Sequence, residues 1–178
     1  MTLLAISGSL RVASSNSVLL RAAKTLAPEG IEVRLYEGMG ELPHFNPEID
    51  GGETVAVLKR AVIEADGVVF CTPEYVHGLP GSFKNLLDWL VSDGELWDKP
   101  VAVLSARKSE FAEPQLREIL RTLMAPICED ASVTVPFPTN KIGESEVLNS
   151  PELAEPLGTA MAAFVRCIEE SYPDALVP

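Results

Sequence analysis

Short apolar runs alternate with amphipathic stretches along this chain. Leu3-Leu4-Ala5-Ile6 gives way at once to polar Ser7-Gly8-Ser9. From Asn16 the apolar positions Val18, Leu19, Ala22, Ala23 and Leu26 fall on one face at helical spacing. Pro28 and Gly30 end that helix. Ile31, Val33 and Leu35 then alternate as a strand does. After a Gly- and Pro-containing loop, Val55, Leu58, Ala61, Val62 and Ala65 mark a second helix. Gly67 to Thr72 is an unbroken apolar run, the pattern of a strand buried on both faces, and Pro73 closes it. Phe83, Leu86, Leu87 and Leu90 predict a third helix. Val101 to Leu104 predicts a fourth strand, and Leu116, Ile119, Leu120, Leu123 and Met124 a fourth helix. Ala131 to Val135 is expected to be a fifth strand, and the stripe from Leu153 to Ile168 a last helix.

This is a strand–helix unit five times over, at a spacing of roughly 30 residues. Right-handed crossovers turn such a pattern into an α/β fold, a parallel sheet covered by helices on both faces. No linker or charge block divides residues 1–178, so one domain is expected. In open parallel sheets, ligands sit beyond the carboxyl ends of the strands. The loops that matter therefore follow the first, third and fourth strands.

Charge narrows the partners. Lys and Arg total 14 against 26 Asp and Glu, a formal net charge of −12. Such a surface repels nucleic acid and anionic membranes, so neither is expected as a partner, and any anion site must be local. No apolar run is long enough to predict a transmembrane helix, and MTLLAIS lacks the basic start of a signal peptide. Cys71, Cys128 and Cys167 are odd in number and far apart, with no CxxC pair. Neither a disulfide nor a metal site is expected, and a cytoplasmic, reducing location is.

The loop after the first strand reads Gly8-Ser9-Leu10-Arg11-Val12-Ala13-Ser14-Ser15-Asn16. A helix N-terminus offers unpaired N–H groups and a positive dipole end. Hydroxyls from Ser9, Ser14 and Ser15, the Asn16 amide and the Arg11 guanidinium add the donors and fixed charge that suit a phosphate monoester. An ordinary Ser/Asn helix cap with a solvated arginine remains open on pattern alone. GxxxxGK[ST], GxGxxG and GxSxG are all absent. The loop after the third strand runs Thr72-Pro73-Glu74-Tyr75-Val76-His77-Gly78-Leu79-Pro80-Gly81. Its prolines and glycines predict a rigid frame whose backbone meets the edge of a flat heterocycle. Tyr75 and His77 are candidates for orienting a substrate; a surface histidine is the plain alternative. No general acid or base stands out. Trp89 and Val91 lie off the apolar stripe of the third helix and point to a second contact, with another subunit as a candidate.

Together the two loops resemble the NAD(P)H-dependent FMN reductase family, which includes quinone, azo and chromate reductases. Gly8-Ser9-Leu10-Arg11 with Ser14 and Asn16 matches its phosphate loop. Pro73-Glu74-Tyr75, Pro80-Gly81, Lys84-Asn85 and Asp88-Trp89 match its second segment. The resemblance implies a flavodoxin-like three-layer sandwich with a five-stranded parallel sheet of order 2-1-3-4-5. It implies FMN, with its phosphate on Ser9, Arg11, Ser14, Ser15 and Asn16 and its ring edge against Pro73, Glu74, Tyr75, Val76 and Ser105. It implies NADPH or NADH as co-substrate, a small-molecule acceptor, and a homodimer or homotetramer. Two positions depart from the pattern. Val76 stands where the family usually has Asn, and residues 105–113 contain no glycine where the family has a Gly-rich loop. That second departure leaves a flavodoxin-like binding or regulatory module with weak or lost flavin binding as the alternative.

Overall fold

The computed structural model describes residues 1–172. Its elements in chain order are β1 (Thr2–Ser7), α1 (Ser15–Leu26), β2 (Glu32–Tyr36), α2 (Gly52–Glu64), β3 (Gly67–Cys71) and α3 (Gly81–Trp89). They continue with β4 (Val101–Val103), α4 (Ala112–Thr122), α5 (Glu144–Leu148) and α6 (Pro151–Ser171). The strands form a parallel sheet of order β2-β1-β3-β4.

The continuous apolar strands are explained by what covers the sheet. Successive strand side chains point to opposite faces. Leu3, Ala5, Val69, Cys71 and Ala102 pack toward α1 and α6. Leu4, Ile6, Val68, Phe70, Val101 and Val103 pack toward α2, α3 and α4. Both faces are covered, so β3 and β4 are buried and free of polar side chains at every position, as is β1 from Leu3 to Ile6, while the edge strand β2 keeps Glu32 and Arg34 exposed. The result is three layers, helix–sheet–helix.

Three expectations are corrected. The sheet has four strands among the described residues, not five. The segment expected to be the fifth does run beside β4, but a short 3₁₀ turn at Glu129–Ala131 bulges it away, leaving isolated parallel bridges at Ile127 and Thr134. The gap is filled by a side chain. Ser132 Oγ accepts the Val103 N–H at 3.0 Å and donates to the Cys128 carbonyl at 2.9 Å, replacing a backbone rung.

Cys128 and Cys167, expected to be unpaired, are joined in a disulfide with Cα atoms 6.2 Å apart. A separation of 39 residues hides the pair in the sequence, and only the return of α6 across the edge of the sheet brings the two together.

Trp89 does not wait for another subunit. It is buried against its own chain, its indole N–H on the Pro43 carbonyl at 2.9 Å and its ring edge-on to Phe45 at 5.1 Å. Asn85 fastens the same loop through Pro43 and Phe45. Val91 is exposed. Among the described residues, no helix is long and apolar enough to cross a membrane.

Candidate functional site

The site begins at a glycine. The Gly8 N–H donates to the Cys71 carbonyl at 2.7 Å, so the chain leaving β1 passes directly over the end of β3. A Cβ at Gly8 would sit 2.5 Å from Thr72 Oγ1 and 2.8 Å from Thr72 Cβ. No side chain fits there, and the two loops therefore meet.

Beyond Gly8 the first loop is held by its own side chains. Ser9 Oγ accepts the Arg11 N–H at 3.2 Å. The Ser14 N–H donates to the Arg11 carbonyl at 3.0 Å. Ser14 is the N-cap of α1, accepting from the Ser17 N–H at 3.1 Å. That leaves the amides of Ser15 and Asn16, in the first turn of α1, without protein partners among the described residues. The Ser9 hydroxyl accepts through oxygen, so its own hydrogen stays available. Arg11 is exposed, and no described residue pairs with its guanidinium. Asn16 is buried, its Oδ1 accepting from Cys71 Sγ at 3.2 Å. Burial pushes the Cys71 thiol far up, so it stays neutral.

The second and third loops are tied to each other. Glu74 Oε2 accepts from Ser109 Oγ at 2.8 Å, the Phe111 N–H at 2.9 Å and the Ala112 N–H at 3.2 Å. It thus caps α4 from a loop 35 or more positions away. Those bonds, the Phe111 amide first and the Ser109 hydroxyl next, hold its carboxyl below the usual range. Gln115 Oε1 takes the Leu79 N–H at 2.9 Å, and His77 stacks on Phe111 with ring centroids 4.4 Å apart.

Between the loops lies an open pocket of about 340 Å³ at the carboxyl ends of β1, β3 and β4. It brings together Ser9, Arg11, Ser14, Ser15 and Asn16 on one side and Pro73, Glu74 and Tyr75 on the other. Three expected positions are placed elsewhere. Val76 and His77 occupy the tip of a two-residue reversal, closed by mutual bonds between Tyr75 and Gly78. Both have left-handed φ, +50° and +56°, and the tip points to solvent. Ser105 is buried in the edge pairing, its main chain on Val133 and Val135 and its hydroxyl on Glu113 at 2.9 Å.

Thr72, Ala106, Ser109 and Asn140 line the pocket without having been singled out in the sequence. Thr72 follows from its position after β3, but nothing local marks Asn140. Arg107 and Lys108 also line it, both exposed. No residue from 105 to 113 has a positive φ, so the backbone of this loop makes no conformational demand that only glycine meets.

A parallel sheet covered by helices on both faces, with a pocket at the carboxyl ends of its strands, defines a flavodoxin-like α/β fold. Residues 1–140 match the NADPH-dependent FMN reductase family, and the chain belongs to that family. It is 32% identical over 123 residues to a quinone reductase of Escherichia coli K12, covering 66% of this chain and 65% of that protein. It is 35% identical over 123 residues to an NAD(P)H-dependent FMN reductase of Pseudomonas aeruginosa, 66% of each chain. Among solved structures it resembles the flavoenzyme NAD(P)H:(acceptor) oxidoreductase FerB of Paracoccus denitrificans. There the TM-score is 0.76 and the identity 28%, with 96% of this chain and 98% of that one covered.

Proposed function

We propose that residues 1–178 act as one FMN-binding domain that passes two electrons from NADPH or NADH to a small acceptor such as a quinone, free flavin, azo compound or metal oxyanion. The observation that carries this reading is the convergence, in one pocket, of free α1 amides, the unpaired Arg11 guanidinium and the braced Pro73–Tyr75 rim.

The residues present fit the cofactor. Ser9, Arg11, Ser14, Ser15 and Asn16 supply the donors a phosphate monoester takes, with Arg11 giving the charge that the acidic surface as a whole withholds. Pro73, Glu74 and Tyr75 supply a fixed edge for a ring system. Bound flavin would supply the hydride and electron chemistry; the protein supplies binding and orientation. The Glu74 carboxylate braces the rim, and Tyr75, half exposed at the pocket, is placed to orient an acceptor. Arg107 and Lys108 bring positive charge to the same mouth, where it favours an anionic reduced ring and the phosphates of the nicotinamide donor. Val76, His77 and Ser105 act by shaping the loops.

We further propose a homodimer or homotetramer, supported by the exposed apolar side chains Leu10, Val12, Tyr75, Val76 and Phe111 on the loops that follow β1, β3 and β4. A cytoplasmic location is part of this reading on the supply of NAD(P)H alone, since the Cys128–Cys167 disulfide removes the argument from unpaired cysteines. The relatives' alignments support the activity over about two thirds of their own length.

The test is the visible spectrum of the purified chain with FMN, before and after NADPH. Bound-flavin bands that bleach on NADPH addition are the expected result. A chain that neither perturbs the FMN spectrum nor oxidises NADPH overturns the reading.

A further inference from the structure

Arg11 stands in a wall between two cavities. On one side is the pocket just described; on the other is a second cavity of about 260 Å³ at the carboxyl ends of β1 and β2. Ser9 and Arg11 border both. Leu20, Leu35 and Met39 give the second cavity apolar sides, and Tyr36 gives it a flat one. Burial raises the Tyr36 pKa to about 12, so it presents a neutral phenol rather than a competing anion.

The cavity holds two arginines, but only one is free. Arg21 donates to the Val12 carbonyl at 3.2 Å and pairs with Glu144 at 3.4 Å. Arg11 has no such partner among the described residues. Glu37, on the rim, is exposed, and its charge is screened by solvent. Apolar sides with one uncommitted guanidinium suit a flat apolar body carrying one carboxylate, which a guanidinium grips with two parallel bonds. The volume lies below the range of about 300–1,000 Å³ that drug-sized ligands occupy, which limits the body to one or two rings.

We propose that this cavity binds a small aromatic carboxylate, its ring against Leu20, Leu35 and Met39 and its carboxylate on Arg11, and that it thereby competes with the flavin phosphate for that side chain. The competition rests on the flavin reading above; the cavity itself does not. Because coupling between two sites is reciprocal, FMN and the acid weaken each other by the same factor.

The experiment is calorimetric titration of the full chain with 2-naphthoate, freed of flavin and then saturated with FMN. Expected is a dissociation constant of about 1 mM or tighter, the affinity usual for a two-ring ligand. FMN then weakens it about 5-fold or more. Leu35→Trp, which fills the cavity, removes naphthoate binding and leaves FMN binding unchanged; Met39→Trp replaces it should Leu35→Trp not fold. No binding by the wild-type chain up to about 10 mM overturns the proposal. So does binding that FMN abolishes while Leu35→Trp leaves it intact, which places the acid in the flavin pocket. Binding untouched by FMN, in a chain that binds FMN, overturns the sharing of Arg11. Should FMN itself not bind, naphthoate binding lost in Leu35→Trp still supports the cavity, and the flavin reading alone has failed.

Discussion

The loops after β1 and β4 face each other across one pocket and are held by opposite means. The first is stabilised from within: Ser9 bonds Arg11, Ser14 bonds Arg11 and Ser17, and no bond in that set spans more than three positions. The second has internal bonds of its own, Ser105 to Glu113 and Glu113 to Ser109, but also depends on distant segments. It is fixed by Glu74, which accepts from Ser109, Phe111 and Ala112, on one side and by Val133, Val135 and Phe137 of the edge segment, which bond Ser105 and Ala106 and are anchored through Cys128 to α6, on the other. A locally wired loop keeps its shape as long as its residues are present. A remotely braced loop keeps its shape only while the rest of the fold holds, so it is where mutation, reduction or acid acts first.

The largest expected effect attacks the remote brace. Cys167→Ser opens a loop with a 39-residue separation, and the chain-entropy estimate for such a loop is about 4 kcal/mol of stability. Urea unfolding should show that loss in the variant and, in the wild-type chain, on adding reductant; a variant as stable as the oxidised wild type contradicts it. Next comes the local loop. Arg11→Gln removes one charge-assisted bond of about 1.5–3 kcal/mol, so FMN affinity falls about 10- to 150-fold with unchanged thermal stability. Fluorescence titration of FMN reads the first and a melting curve the second.

Gly8→Ala strikes where the two regions join. A methyl 2.5 Å from Thr72 Oγ1 overpacks the crossing and costs about 1–3 kcal/mol, weakening FMN binding with it. Val76→Asn runs the other way. A β-branched residue at φ +50° carries strain that Asn largely avoids, so the variant gains about 1 kcal/mol, seen as a higher melting temperature. The smallest effect is the pH dependence of Glu74. Its folded pKa is lowered, so its bracing is fully present above the ordinary carboxylate value of 4.5 and is lost as pH falls through the lower folded value. Glu74→Gln should flatten that acid limb of the unfolding profile; an unchanged limb assigns it to other carboxylates.

What the sequence determined by itself was whatever rests on neighbours in the chain. Apolar periodicity placed every α-helix of the described residues except the short α5, and the first four strands, since burial on one or two faces writes itself directly into residue spacing. The serine-rich first loop was legible as an anion site because its donors and their caps lie within nine residues. Tertiary structure alone decided the rest. It paired Cys128 with Cys167, broke the fifth strand and let Ser132 stand in for a rung. It turned Trp89 inward onto Pro43, committed Glu74 to capping α4, and brought Asn140 to the pocket. Each of these depends on a partner 29 or more positions away, or on the shape such partners impose, and local patterning carries no trace of where the chain will return.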